Sequence, residues 1–420
     1  MSKERIEALE KNEAYASYQA DLAFEKELNI LRNDFYYQMI DSKKTTALVD
    51  FMYRPLDTLS GDSYSARRID ENRTFYLLID GMGKGVSASF TAVIMTSFIN
   101  HLIDKMIEHD SFSLHILIKE SMDFIKPILL EDEVLAIDYI CIDSYYAVLE
   151  YAKFAMPPFL LHDKSNQIIK LKSNNVPLSK WQTTFQIGSY NIRNIEKFLF
   201  YSDGIVENNT IYDDKPYAAF IENDFKHSFT REEFKDKFYA SIKNQEDDLS
   251  LIFINSLDIR EETQIGKKVF QTSLDDVEEA GLWYEAVWRD FHEDIKEIYK
   301  AGIVFTELFM NAYEHGNLGL SSVQKHKYLE EDIYFQKLTE LEEACTKELT
   351  VEVYKVKEFD NEYVITKICD EGKGFDTQIL SQIFRNSKKY NGRGVFVSRK
   401  NSMGIYYNAK GNCVLFLNKI

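Results

Sequence analysis

Cysteine is scarce in this chain and poorly spaced for site chemistry. Cys141, Cys345, Cys369 and Cys413 are the only four in 420 residues, and no two form a C-x-x-C pair. That spacing offers neither a zinc site nor a disulfide framework, and a reduced cytoplasm is the economical expectation. Basic charge is also short: 50 Lys and Arg stand against 68 Asp and Glu, a net charge of −18. Without a basic stripe, nucleic acid is excluded as a partner, and docking on anionic lipid is disfavoured. No uninterrupted apolar run approaches the roughly 20 residues of a membrane helix. The start, Met1-Ser2-Lys3-Glu4-Arg5, lacks the apolar core of a signal peptide. Internal repeats and low-complexity tracts are missing too.

What is present suits a soluble globular protein, 45% hydrophobic and 28% charged. The length allows two ordinary domains with cores of their own. Residues 1–42 contain no Pro or Gly before Asp41, and Phe24, Leu28, Leu31 and Phe35 recur at helical spacing. They read as an N-terminal helix, either packed on the next domain or forming a stalk that dimerises or transmits a signal. Residues 43–257 alternate strand-like runs with a helix-rich stretch from about Ser87 to Lys126. Residues 258–266 are polar and read as a linker ending at Gly266. Residues 267–420 hold a strand near Lys267–Thr272, a capped helix after Ser273, the clearest helix of the chain at about 294–315, and strands at 349–356, 363–369 and 413–417.

Two constellations stand on this frame. In the first, Phe75–Ile79 runs into Asp80-Gly81, Phe198–Tyr201 precedes Ser202-Asp203-Gly204, and Asp247-Asp248 opens Leu249–Ile254, with Ser60-Gly61-Asp62 upstream. Singly, each Asp-Gly is an ordinary turn. Jointly, three buried strands present an aspartate at one end. Converging carboxylates repel, and a hard divalent cation is their natural counter-charge.

Gly61-Asp62-Ser63-Tyr64, Asp80-Gly81-Met82-Gly83-Lys84-Gly85-Val86-Ser87-Ala88-Ser89, Tyr201-Ser202-Asp203-Gly204 and Asp247-Asp248-Leu249-Ser250 resemble the motifs of bacterial PPM-type Ser/Thr phosphatases, nearest to the stage II sporulation and stress-response subgroup. The resemblance spans residues 45–257 in family order. It implies that Asp62, Asp80, Asp203 and Asp247, with the Gly81 carbonyl, ligate two Mn²⁺ or Mg²⁺ ions. It also implies hydrolysis by a metal-activated water without a covalent enzyme intermediate, with Lys84 near the phosphate. The chain departs from the family at Ala155-Met156-Pro157-Pro158, where a Gly-His-Pro-Pro-like turn is usual.

In the second constellation, Glu307 and Asn311 lie one turn apart on a helix and could orient a water and complete a Mg²⁺ shell. Asp370-x-Gly372-x-Gly374 follows an apolar strand, where the Asp could accept from an adenine amino group and the glycines admit a ligand close to backbone. Asn391-Gly392-Arg393-Gly394 then opens another helix, whose amides suit phosphate. Neither glycine segment fits the Walker A or dinucleotide pattern.

With His315-Gly316 and Phe375-Asp376, these segments resemble the GHKL (Bergerat-fold) ATPases, and among them the anti-sigma-factor serine kinases. The resemblance implies Mg-ATP held by Asn311, His315, Asp370, Gly372, Gly374, Gly392, Arg393 and Gly394, with Glu307 activating the acceptor hydroxyl. Gly411-Asn412 replaces the usual Gly-Thr, and Leu320–Lys347 is longer than the compact pattern. A histidine kinase fits less well, because its phospho-accepting helical hairpin would fall where the phosphatase motifs lie.

The fold expected is therefore α/β (α+β): a PPM β-sandwich flanked by helices, then a Bergerat-type α/β sandwich, preceded by an N-terminal helix. The function expected is dephosphorylation of a STAS-type anti-sigma-factor antagonist in bacterial partner switching. A serine-kinase-like ATPase domain would accompany it, binding a sigma factor or the antagonist. The alternative is a C-terminal nucleotide-responsive binding module without turnover.

Overall fold

A computed structural model describes residues 22–23, 25–35, 37–41, 46–82, 86–212, 215–257, 259, 261–377 and 401–420. The chain divides into two compact units. The first is built around Val49–Ser256, and the second comprises Leu257–Ile420 together with 37–41 and Thr46–Leu48.

The first unit stacks two antiparallel-rich sheets between helices. One sheet has the order β10 (Gly188–Asn191), β6 (Val148–Phe154), β5 (Val134–Asp143), β4 (Arg73–Gly81), β3 (Asp62–Arg68), with β9 (Leu178–Ser179) on β5. The other runs β2 (Thr46–Arg54), β12 (Leu249–Leu257), β11 (Ile195–Tyr201), β7 (Phe159–Asp163), β8 (Ile168–Leu171). Strand pleating divides β4 between two layers. Phe75, Leu77 and Ile79 face out against α1 (Val86–Glu108) and α2 (Leu114–Ile125), packing on Met95, Ile99, Leu117 and Ile118. Tyr76 faces in and meets Phe200 of the other sheet at 6.1 Å between ring centroids. The second sheet is covered by α3 (Asp203–Glu207), α4 (Ile221–Lys226) and α5 (Arg231–Ser241), which set Ile205, Phe225, Phe234 and Phe238 on Leu199, Leu251 and Phe253. Asp80 and its neighbour strands thus end between two rigid layers.

Helix α1 is long and apolar enough to cross a membrane by length and composition alone. Its Ala92, Met95, Ile99 and Ile103 are buried in the core of this unit, so the apolarity has a packing explanation. Inside the sandwich, the Lys153 ammonium lies 2.7 Å from the Asp138 carboxylate, both fully buried. Burial pushes Asp138 up to about 6, against the pull of Lys153, and pushes Lys153 down.

The turn between β6 and β7 holds Ala155 at φ 60°, left-handed backbone that suits glycine. This is the position where the family turn carries Gly. Ala155→Gly is expected to stabilise the unit by about 1 kcal/mol, read as a rise in the chemical-denaturation midpoint. No rise would mean that the Cβ is accommodated without strain.

The second unit is an antiparallel sheet in the order β13 (Gln264–Gln271), β14 (Glu348–Glu358), β15 (Asn361–Asp370), β17 (Cys413–Lys419), β16 (Gly404–Tyr407). Helices α6 (Leu274–Arg289) and α7 (Ile295–Asn311) pack on it through Tyr284, Trp288, Val304, Phe305 and Leu308. Tyr284 stacks on Phe305 at 4.1 Å. Ser273 caps α6 by accepting from the Asp276 N–H, and Asp294 caps α7 through Lys296. Helix α7 relaxes into a π-helical segment, Ala312–Asn317, before α8 (Ser322–Glu330) and α9 (Tyr334–Glu343). These last two helices fill the stretch that is long by the compact ATPase pattern.

Three expectations need correction. The N-terminal helix does not run to residue 42: helical backbone stops at Ile30, and β1 (Met39–Asp41) follows. Leu31 and Phe35 are buried beyond the helix, where Asn33 accepts the Phe35 N–H and Asp34 binds Arg67, so their helical spacing was coincidental. The stretch read as linker already contains the start of β13, and Gly266 lies within that strand, opposite Val353. The cysteines are not all free: Cys369 and Cys413 form a disulfide. They stand directly opposite on adjacent antiparallel strands, a register that a separation of 44 residues conceals.

Candidate functional site

Antiparallel register creates the heart of the first site. β3 and β4 pair with Asp62 directly opposite Asp80, so two carboxylates emerge on one face at one sheet end. Like charges so placed destabilise a sheet unless something compensates. The adjoining sheet contributes Asp203, at the start of α3 just past β11, and Asp247, just before β12. Ser202 and Ser250 fasten these two strand ends, Ser202 N–H to the Ser250 carbonyl at 2.9 Å and Ser250 N–H to the Ser202 hydroxyl at 3.2 Å.

The electrostatics show how close the group stands. Burial pushes Asp80 up to about 10, with Asp62, Asp203 and Asp247 adding repulsion and Asp203 sharing a hydrogen bond. Burial raises Asp62 well above the usual carboxylate range, only partly opposed by the Ser202 and Ser250 hydroxyls, while Asp248 and Asp203 raise it further. Asp62 Oδ2 is buried without a well-formed hydrogen bond. The four sequence-predicted aspartates are thus brought together.

Asp248, the second aspartate of its pair, has a different task. Its two carboxylate oxygens accept the Leu56 and Gly61 N–H groups, each at 2.7 Å. It therefore clamps the loop that delivers Asp62. Two glycines are required by close approach. A Cβ on Gly204 would lie 2.0 Å from the Asp248 carbonyl oxygen, and one on Gly81 2.9 Å from that of Ala88. The Gly81 N–H bonds the Gly61 carbonyl at 3.1 Å. Gly83, Lys84 and Gly85 lie outside the described residues.

Sequence reasoning missed Glu27 and Tyr53. Glu27 is buried, and its Oε1 accepts from the Tyr53 hydroxyl at 2.7 Å and from the Ser60 N–H at 3.3 Å. One more Glu in a Glu-rich helix gives no signal that it would be drawn under a loop near residue 60.

Divalent cations suit this donor set. The carboxylates are hard oxygen ligands, Asp62 Oδ2 is buried without a well-formed hydrogen bond, and mutual repulsion adds to the burial penalty on Asp80. Among the described residues no three His, Cys, Asp or Glu side chains already stand at metal-holding distances from one another. Asp62, Asp80, Asp203 and Asp247 are the residues that would hold a cation.

The second unit gathers a different set. Asp370 ends β15, and its Oδ1 accepts the Gly372 N–H at 2.8 Å. Burial pushes Asp370 up to about 6, opposed by that hydrogen bond and by Lys410 and Lys347. A Cβ on Gly316 would sit 2.5 Å from the Asp370 carboxyl carbon, and one on Gly372 2.2 Å from the Gly316 carbonyl oxygen. Gly374, at φ +74°, would place a Cβ 1.8 Å from the Lys410 carbonyl oxygen. Three expected residues therefore meet closely, Gly316 and Gly372 through backbone and Asp370 through its carboxylate.

Asn317 braces them, donating to Thr272 and the Glu348 carbonyl and accepting the Glu371 N–H at 2.9 Å. Tyr407, also missed by sequence reasoning, feels the charges of both Glu307 and Asp370. Glu307 and Asn311 are half-buried on α7. His315 turns away, its ring Nδ1 bonded to the Leu320 carbonyl. Gly392, Arg393 and Gly394 lie outside the described residues.

Residues 70–256 match the family model of Stage II sporulation protein E (SpoIIE), which supports a SpoIIE-type PP2C/PPM phosphatase domain in this stretch. Asp80, Asp203 and Asp247 fall inside the match, and Asp62 just before it.

Among particular proteins, the chain is similar to the phosphoserine phosphatase RsbP of Bacillus subtilis (strain 168), 25% identical over 164 residues. Those residues are 38% of this chain and 40% of that protein, so the chain spans well under half the length of this curated relative. Structures with likeness include the RsbU and RsbW domains of Rv1364c from Mycobacterium tuberculosis, at 14% identity and TM-score 0.46, covering 89% of this chain and 94% of that one. The SiaA-PP2C domain of Pseudomonas aeruginosa gives 14% identity and TM-score 0.48, over 58% of this chain and 98% of that one.

Proposed function

We propose that this chain is a metal-dependent protein-serine/threonine phosphatase that acts on a phosphorylated STAS-type anti-sigma-factor antagonist in bacterial partner switching. The observation that carries the reading is the convergence of Asp62, Asp80, Asp203 and Asp247 on one end of the two sheets. Burial and their mutual repulsion make ionisation of Asp62 and Asp80 costly there. The SpoIIE family match and the phosphoserine phosphatase RsbP among its relatives support a phosphoserine substrate. Two Mn²⁺ or Mg²⁺ ions held there would supply Lewis acidity and a water acidic enough to hydrolyse a phosphoserine. The protein's part is positioning: Asp62 and Asp80 are fixed by strand register, Asp203 by the Ser202–Ser250 bonds, and Asp248 by holding the loop.

The second unit is read as a Bergerat-type, serine-kinase-like ATPase domain that binds Mg-ATP and engages a sigma factor or the antagonist. Asp370 with Gly316 and Gly372 supports nucleotide binding. Glu307 as base and Asn311 as Mg²⁺ ligand are the kinase assignments. A binding module without turnover is the second reading, favoured by His315 being engaged with Leu320. A cytoplasmic location, no nucleic-acid or membrane partner, and self-association through the N-terminal helix complete the proposal.

The test uses the full chain, Mn²⁺ and a phosphoserine-bearing STAS protein. Release of inorganic phosphate that disappears with EDTA is expected, and no release at millimolar Mn²⁺ overturns the phosphatase reading. Incubation of the unphosphorylated antagonist with Mg-ATP then separates the two readings of the second unit. Serine phosphorylation supports the kinase, and ATP binding without it supports the module.

A further inference from the structure

Glu27 stands outside every motif, yet it is wired to the loop that carries Asp62. It lies in the helical stretch 25–30 and is 2% exposed. Its Oε1 accepts from the Tyr53 hydroxyl at 2.7 Å and from the Ser60 N–H at 3.3 Å. The same Tyr53 hydroxyl lies 3.4 Å from the Asp62 carbonyl oxygen. Ser60 in turn accepts the Asp62 N–H on its hydroxyl at 3.0 Å. One buried carboxylate oxygen therefore organises both the strand beside Asp62 and the residue two before it.

The opposite side of that loop is held by Asp248 through Gly61 and Leu56. Between them the two carboxylates bind N–H groups of successive residues, Ser60 and Gly61. Glu27 Oε2 is buried without any hydrogen bond. A carboxylate left half-satisfied in a buried place is costly to stability. Packing alone would be served better by Leu, so the acceptor oxygen that meets Ser60 and Tyr53 argues for a positional task.

We propose that Glu27 is a positioning residue for the divalent-cation site: it fixes the Ser60-Gly61-Asp62 loop through Ser60 and Tyr53, and so sets cation affinity. The inference rests on the reading of Asp62 as a ligand of Mn²⁺ or Mg²⁺. Outer residues that hold ligands in place commonly change metal affinity by about 10–100-fold when removed.

The experiment is direct Mn²⁺ binding to the full chain, followed by the electron paramagnetic resonance signal of free Mn²⁺, alongside phosphatase titration with Mn²⁺. Glu27→Ala is expected to raise the Mn²⁺ dissociation constant about tenfold and to leave kcat at saturating Mn²⁺ within about twofold. Glu27→Gln keeps an oxygen acceptor for Ser60 and Tyr53 and is expected to stay within about threefold of wild type. Tyr53→Phe removes only the hydroxyl and is expected to weaken Mn²⁺ in the same direction, so it serves if Glu27→Ala fails to fold. An unchanged dissociation constant in Glu27→Ala, or in Tyr53→Phe where the former does not fold, overturns the proposal. So does Glu27→Gln weakening Mn²⁺ as much as Glu27→Ala. Wild-type protein that binds Mn²⁺ without hydrolysing phosphoserine refutes the phosphatase reading and leaves this inference standing. Wild-type protein that binds no Mn²⁺ refutes both.

Discussion

Replacing Asp80 with Asn is expected to abolish Mn²⁺-dependent phosphoserine hydrolysis, lowering kcat/KM by at least ~10³-fold, equivalent to about 4 kcal/mol of lost transition-state stabilisation. The substitution is nearly isosteric and keeps the strand pairing of Asp80 with Asp62 and Ala136. It removes a buried carboxyl that the metal-free fold must keep protonated at neutral pH, at a cost to stability. The metal-free variant is therefore expected to melt higher than metal-free wild type, while the wild type overtakes it when Mn²⁺ is added. Loss of activity with a lower melting temperature in both conditions would assign Asp80 to structure instead of catalysis. Retained activity would refute the two-metal assignment.

Protons give an independent reading of the same site. Asp80 is pushed up to about 10 in the folded, metal-free protein, so at neutral pH it carries a proton there. In the unfolded chain an Asp titrates near 4. A folded value above the unfolded one means that the native state binds more protons between about pH 4 and 10. Metal-free stability therefore falls as pH rises through that window, at up to about 1.4 kcal/mol per pH unit for one group. Asp80→Asn flattens the slope. Mn²⁺ binding at pH 7 releases about one proton from this residue, measurable by calorimetry in buffers of different ionisation enthalpy.

How much was legible follows from where the information lies. Asp80, Asp203 and Asp247 were readable because each flanks a short apolar strand, and the alternation of Phe75, Leu77 and Ile79 with Tyr76, Leu78 and Asp80 is local. Their convergence was readable only jointly, through motif order. Glu27 was not readable, since its link to Ser60 spans 33 residues and depends on how a helix end packs. The Cys369–Cys413 pairing was hidden for a similar reason: strand register is a property of the sheet, and spacing does not encode it. The helical spacing of Leu31 and Phe35 misled because side chains buried in irregular backbone can share a helical period by chance. In the second unit the glycine pattern predicts a ligand admitted close to backbone, whereas the contacts of Gly316, Gly372 and Gly374 give each a steric reason within the protein itself. Tyr407 carried no motif, and its exposure to the charges of Glu307 and Asp370 depends on β16 joining the sheet edge.

Asp370→Asn is expected to weaken ATP binding to the full chain by about 30–100-fold, a loss of roughly 2–3 kcal/mol for a charge-assisted hydrogen bond inside a half-buried site. Asp370 Oδ1 is already committed to the Gly372 N–H. The second oxygen is the one available to an adenine amino group, and an amide nitrogen there presents a donor to a donor. Guanine carries an acceptor oxygen at the corresponding ring position, so the variant should also lose its preference for ATP over GTP. That change of selectivity distinguishes base recognition from general damage, because a collapsed site weakens both nucleotides alike. Gly372→Ala supplies the control: its Cβ would lie 2.2 Å from the Gly316 carbonyl oxygen and 2.7 Å from Asp370 Oδ1. It must push the two segments apart and is expected to weaken ATP and GTP together. Fluorescent-nucleotide displacement with both bases reads all of these outcomes. Equal loss of ATP and GTP in Asp370→Asn would remove the adenine role from this residue.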